Sequence, residues 1–124
     1  AIPEKVIQKQ IIAWLKTTDL LWWRQNAGMV GHLTLGPDGI SDLVVIVPPN
    51  GRFLGLEVKS AKGGLRPSQR LFKGQLEASG GIYRVVRTLD EAKEAVRQSL
   101  LVTGGIGWKV EPLSDITITS QISN

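Results

Sequence analysis

The sequence predicts an α/β fold: a mixed central sheet flanked by helices, in the order α-β-β-β-α-β-α. Three observations predict it. Apolar residues recur at helical spacing in three segments, strand-like apolar runs lie between those segments, and glycine or proline marks the junctions. With 124 residues and 42% apolar content, the chain suits one domain with a single core.

The first helix is expected from Pro3 to about Thr17, because proline suits a first helical turn. At about 100° per residue, Ile7, Ile11, Trp14 and Leu15 form one stripe. Glu4 and Gln8 fall within that stripe, whereas Lys5, Lys9 and Lys16 lie opposite. A glutamate there either sits in the solvated first turn, where acid favours the macrodipole, or serves a site. Leu20 to Asn26 reads as a first strand, with Trp22 and Trp23 facing opposite sides. Ala27 to Gly39 carries Gly28, Gly31, Gly36 and Gly39 and reads as a loop or a hairpin.

A hairpin then joins Ile40–Val47 to Arg52–Lys59 through the turn signal Pro48-Pro49-Asn50-Gly51. Ala61-Lys62-Gly63-Gly64 is a loop, Pro67 opens a second helix, and Gly80-Gly81 ends it. Ile82 to Arg87 supplies a further strand. Thr88 and Glu91 have the spacing of a capping box, heading a third helix that runs to about Val102 and stops at Gly104-Gly105. Residues 1–105 are read as the domain and 106–124 as a tail. The alternation Ile116-Thr117-Ile118-Thr119 suggests a short added strand or a contact arm.

The chemistry concentrates in the Ile40–Lys59 hairpin. Pairing its strands brings Asp42, at the head of one, beside Glu57, at the foot of the next. Lys59 then shares a face with Glu57, because strand side chains alternate with period two. Two carboxylates and an amine at one apolar sheet edge are costly to bury without a use or a counter-ion. Neither carboxylate is expected in the core, so alanine at either position is expected to leave stability unchanged or slightly raised. A few hard oxygen ligands suit Mg²⁺ or Mn²⁺, which take one or two carboxylates plus a substrate phosphate. A lysine one strand-step away suits stabilisation of developing charge or orientation of a water. The Asp…Glu-x-Lys set therefore makes chemical sense as a phosphodiesterase. Gln69, one turn into the second helix, is a candidate for positioning Lys59 or the water.

The formal net charge is +4, compatible with nucleic-acid binding. No acidic residue occurs from Val58 to Leu76, a stretch that holds Lys59, Lys62, Arg66, Arg70 and Lys73. Directly after the Glu57/Lys59 pair, Lys62, Arg66, Arg70 and Lys73 read as a phosphate-facing surface. With no cysteine there is no disulfide, thiolate site or Cys nucleophile. No apolar run reaches the roughly 18 residues of a membrane span, and no signal-peptide core is apparent, so a cytoplasmic protein is expected. The serines show no nucleophile motif, and no P-loop or dinucleotide pattern occurs. His32, the sole histidine, lies in the glycine-rich segment and reads as surface.

Five stretches carry a family resemblance: Trp23-Arg24-Gln25-Asn26-Ala27-Gly28, Gly39-Ile40-Ser41-Asp42-Leu43, Glu57-Val58-Lys59, Leu65-Arg66-Pro67-Ser68-Gln69 and Gly81-Ile82-Tyr83-Arg84-Val85-Val86-Arg87. Together they resemble the PD-(D/E)XK nuclease superfamily and, within it, the VRR-NUC (virus-type replication-repair nuclease) domains. The resemblance implies a restriction-endonuclease-like α-β-β-β-α-β core and Mg²⁺- or Mn²⁺-dependent cleavage of DNA. It implies Asp42 and Glu57 as metal ligands, with the Val58 backbone carbonyl a further candidate, and Lys59 as the catalytic lysine. It also implies that Glu4 and Gln69 line the site. Two departures stand out: Ser41 occupies the position where the superfamily name expects proline, and Arg66 stands where a small capping residue is commoner.

The minimal length looks like the stand-alone phage or bacterial members, whose relatives include dimeric Holliday-junction resolvases. The leading expectation is thus an endonuclease for branched DNA. The alternatives are a less selective nickase or restriction-type endonuclease, and a non-catalytic DNA-binding module. A homodimer is expected, since one domain offers one site and paired cuts need two. The apolar tail residues Trp108, Val110, Leu113, Ile116, Ile118 and Ile122 are its candidate contact.

Overall fold

A computed structural model describes residues 2–25, 29–30, 33–34 and 36–103. Its elements in chain order are α1 (Glu4–Leu15), β1 (Leu21–Arg24), β2 (Met29–Val30), β3 (Leu33–Thr34), β4 (Leu43–Val47), β5 (Arg52–Val58), α2 (Pro67–Ala78), β6 (Ile82–Val86) and α3 (Leu89–Thr103). The four long strands form one sheet in the order β1-β4-β5-β6. β1 and β5 both run antiparallel to β4, whereas β6 runs parallel to β5. The parallel step requires a crossover, and α2 supplies it. The glycine-rich segment takes the hairpin option: β2 and β3 pair as a separate two-stranded sheet. His32 and residues 104–124 lie outside the described residues, and with them the predicted surface histidine, the Gly104-Gly105 helix stop, and the 106–124 tail with its added strand and dimer contact.

Period-two alternation divides the sheet into two different faces. Leu43, Val45 and Val47 of β4 and Leu54, Leu56 and Val58 of β5 join the main core with Ile7, Ile11, Trp14 and Leu15 of α1. Ala92, Ala95, Val96 and Leu100 of α3, Ile82 and Val86 of β6, and Leu20 complete that core. Burying each large aliphatic side chain stabilises the fold by about 1.5–3 kcal/mol, so this layer dominates. The intervening residues face α2, where the Phe72 ring lies 6.4 Å from Phe53 and 6.0 Å from Tyr83. The result is α1 and α3 on one face of the sheet and α2 on the other.

Local chemistry fixes the helix ends. After α1, the Thr17 and Thr18 hydroxyls donate to the Trp14 and Leu15 carbonyls at 2.7 Å, taking up acceptors the helix leaves free. At the head of α3, Thr88 Oγ1 accepts the Glu91 N–H at 3.0 Å, but the Glu91 carboxylate reaches back to the Arg87 N–H rather than to Thr88. The expected capping box is therefore displaced by one residue on its return arm. Beyond Ala78, the last residue of α2, the chain turns away at Gly80, whose φ of +96° glycine adopts without steric cost. Among the described residues no helix is long and apolar enough to cross a membrane.

Gly39 seats the segment before β4 against the head of α2. Its φ is +80°, and a Cβ there would lie 2.1 Å from the Ser68 carbonyl oxygen. Gly39→Ala is therefore expected to destabilise the domain by about 1–3 kcal/mol, the range for a strained left-handed position. Urea denaturation checks this; an unchanged midpoint would show that the close approach is not maintained.

Candidate active site

The β4–β5 register pairs Leu43 with Leu56, so the next positions outward are Asp42 and Glu57. Asp42 is half-buried, and its Oδ2 accepts the Val58 N–H at 2.9 Å, extending the ladder with a side chain. Ser41 braces it. The Ser41 hydroxyl is fully buried and donates to the Leu43 carbonyl at 3.0 Å, bridging across Asp42. That hydroxyl sits over Gly55, where a Cβ would come within 2.5 Å of it, so glycine on β5 makes room for serine.

Glu57 is only 3% exposed, which corrects the expectation that neither carboxylate belongs to the core. Being next to last on β5, it is enclosed by α2 and β6 rather than left at an open edge. Gln69 Nε2 donates to Glu57 Oε2 at 3.1 Å, and the Tyr83 hydroxyl donates to Oε1 at 3.4 Å. Lys59 Nζ lies 3.6 Å from Oε2 and is itself 8% exposed. Burial pushes the Glu57 carboxyl up to about 7, with repulsion from Asp42 adding to the rise and Lys59 opposing it. Burial and the same two carboxylates hold the Tyr83 phenol well above its ordinary value, so it remains a donor. Truncating Glu57 would leave the Gln69 and Tyr83 donors without their acceptor, so alanine there does not simply relieve repulsion.

Gln69, the candidate for positioning Lys59 or a water, approaches the same Glu57 oxygen as Lys59. Its Oε1 accepts the Arg66 N–H at 2.8 Å while its Nε2 holds Glu57. Arg66, in extended conformation before α2, makes no side-chain cap, and Gln69 supplies the return arm of a capping box instead. One amide thus both starts the helix and fixes the carboxylate. Glu4 is exposed in the first turn of α1, yet its Oε2 accepts the Ser60 N–H at 3.2 Å. From the other side Arg87 donates to the Ser60 and Gly63 carbonyls, so the loop after Lys59 is tied at both flanks.

These groups line a cleft of about 490 Å³ that contains Glu4, Asp42, Glu57, Lys59, Arg66 and Gln69. Of the four residues predicted to face phosphate, only Arg66 reaches it. Lys62 and Arg70 are exposed beyond it, and Lys73 pairs with Glu77 at 2.9 Å. Glu77 lies just past the acid-free stretch, one helical turn from Lys73, a spacing visible in the sequence. Gln8, Arg24, Gln25 and Ser68 also line the cleft without having been singled out for a role. Tyr83 lies within the Gly81–Arg87 motif stretch and on a strand otherwise rich in aliphatic residues, but carries no role of its own in the sequence reading.

Among the described residues there is no cluster of three or more Asp, Glu, His or Cys groups able to hold a metal. The donor set is two carboxylates, Asp42 and Glu57, which fits Mg²⁺ or Mn²⁺ completed by water and substrate oxygens, and does not resemble a closed structural site.

A family model for the VRR-NUC domain matches residues 2–89, which include every residue of this cleft. Two solved structures share the fold. One, described as a VRR_NUC domain protein, is 16% identical with a TM-score of 0.65, the match covering 82% of this chain and 90% of that one. The other, described as a VRR_NUC domain, is 21% identical with a TM-score of 0.53, covering 82% and 97%. No curated protein matches. The chain belongs to the VRR-NUC domain family and is accordingly a nuclease-type domain that acts on DNA.

Proposed function

We propose that this protein is a Mg²⁺- or Mn²⁺-dependent endodeoxyribonuclease that hydrolyses phosphodiester bonds in branched DNA such as four-way junctions. The observation that carries the reading is the buried Glu57 carboxylate set beside Asp42 and Lys59 in a cleft bordered by Arg66. Asp42 and Glu57, with the Val58 carbonyl, would hold the ion. When bound, it supplies positive charge to a phosphoryl oxygen and acidifies a water. Lys59, close to Glu57 on the same strand face, places an ammonium where charge develops on the phosphate. Gln69 keeps the Glu57 carboxylate in one orientation. Glu4 and Arg87 hold the loop that follows Lys59. Arg66, with Lys62 and Arg70 outside the cleft, binds backbone phosphates.

Branched DNA and a homodimer belong to the same proposal. A two-fold dimer would supply two sites with the symmetry of a junction. Sedimentation should then find a species of twice the 13.5 kDa chain mass. A nickase or restriction-type enzyme would instead cut linear and junction DNA alike, and a binding module would cut neither.

A supercoiled-plasmid assay tests the central reading: cleavage with Mg²⁺ or Mn²⁺, and none with EDTA. Asp42→Asn and Glu57→Gln should each lower the rate at least a hundredfold; asparagine keeps an acceptor for the Val58 N–H, and glutamine keeps one for either Gln69 or Tyr83 but not both. Wild-type rates in either variant would sink the site assignment. Lys59→Ala should lose turnover while keeping DNA affinity within about threefold, because its role lies in the transition state. A panel of four-way junction, flap, nicked and linear duplex substrates reads the preference for branches.

Glu57 also sets a pH dependence of stability. Its folded pKa of about 7 lies above the ordinary 4.5, so between those values the folded state holds a proton that the unfolded chain releases. The group's contribution is therefore most favourable below about pH 4.5 and is lost as pH rises toward 7. Melted in EDTA, Glu57→Gln should gain about 5 °C relative to wild type as pH rises from 5 to 7.5, because only wild type loses stability with the proton. A difference independent of pH would contradict the assignment.

The salt dependence of DNA affinity reads the basic surface. Replacing Lys62, Arg66 and Arg70 with alanine should lower the log–log slope by roughly 0.9 for each phosphate contact removed. Lys73→Ala should change it less, because Glu77 already engages that ammonium. An unchanged slope in the triple variant would show that this surface faces away from DNA.

A further inference from the structure

We propose that Tyr83 is a positioning residue for the metal site, its hydroxyl fixing the rotation of the Glu57 carboxylate. The inference rests on the reading of Glu57 as a metal ligand. Tyr83 is 1% exposed, and a buried hydroxyl without a partner is costly. Its hydrogen bond is to Glu57 Oε1, at 3.4 Å. The sheet explains the approach. β6 runs parallel to β5 with Tyr83 opposite Gly55 and Val85 opposite Glu57, so Tyr83 and Glu57 share the face toward α2, one diagonal step apart.

The ring is placed by packing rather than by the hydroxyl. Phe72 lies 6.0 Å away, and Phe72 in turn meets Phe53, so phenylalanine at position 83 would make the same ring contacts. What the hydroxyl adds is a donor on Oε1, while Gln69 places a donor on Oε2. A carboxylate has about four lone-pair directions over its two oxygens, so one donor on each sets its plane and leaves acceptor capacity for an ion. Outer partners of this kind typically change metal affinity 10- to 100-fold when removed.

Tyr83→Phe tests the role in the intact, DNA-free chain. Calorimetric titration with Mg²⁺ or Mn²⁺ should show about tenfold weaker binding than wild type, with the melting temperature in EDTA little changed. Cleavage at saturating metal should stay within about threefold of wild type, so the loss appears in the metal requirement rather than in turnover. Tyr83 is the chain's single tyrosine, which gives a second readout that does not depend on the variant folding. Protein labelled with 3-fluorotyrosine should show one ¹⁹F resonance that moves on Mg²⁺ addition in wild type and stays put in Glu57→Gln. Metal affinity within twofold of wild type in Tyr83→Phe, or a ¹⁹F resonance indifferent to Mg²⁺, overturns the positioning role while leaving a metal-dependent wild-type nuclease intact. A wild type that neither binds the ions nor cleaves with them overturns the metal reading and this inference together.

Discussion

The site depends on keeping one carboxylate, Glu57, inside the protein. A buried carboxylate is unfavourable on its own, and Asp42 alongside makes it more so. The surrounding structure answers with Lys59, Gln69 and Tyr83, drawn from β5, α2 and β6. Each answers differently: the ammonium by charge, the amide and the phenol by directed hydrogen bonds. They do not cancel the cost of burial, since the Glu57 carboxyl is still pushed up to about 7.

The sheet topology brings these groups together. An antiparallel β4–β5 pair sets Asp42 and Glu57 side by side, and the parallel β5–β6 pair adds Tyr83 to the same face. Between them α2 crosses over, and Gln69 in its first turn links the helix start to the carboxylate. Gly39 and Gly55 permit the two closest approaches, one at the head of α2 and one beneath Ser41. Residues of the candidate site therefore also hold the fold: Gln69 caps a helix, and Asp42 continues a strand ladder.

Much of this was legible in the sequence because it follows from short-range periodicity. The apolar stripe of Ile7, Ile11, Trp14 and Leu15 became the buried face of α1. Alternation in Arg52–Lys59 put Glu57 and Lys59 on one face, and the Pro48–Gly51 turn implied the pairing that set Asp42 beside them. The motif stretches supplied the family. The basic character of Val58–Leu76 was also plain, but not that Lys73 would turn to Glu77, which lay one residue beyond the stretch considered.

Tertiary structure decided the rest, because it brings together residues far apart in the chain. Glu57 is buried only because α2 and β6 close over the end of β5, which strand alternation alone does not reveal. Gln69 turns to Glu57 and to its own helix start, an arrangement set by how α2 docks. Glu4 reaches Ser60 across 56 residues, and Tyr83 reaches Glu57 across 26. The sequence by itself determined which elements form and which residues carry acid, amine and charge. Only the packing of those elements decided which donors each carboxylate meets, since hydrogen bonds depend on direction and distance that periodicity does not encode.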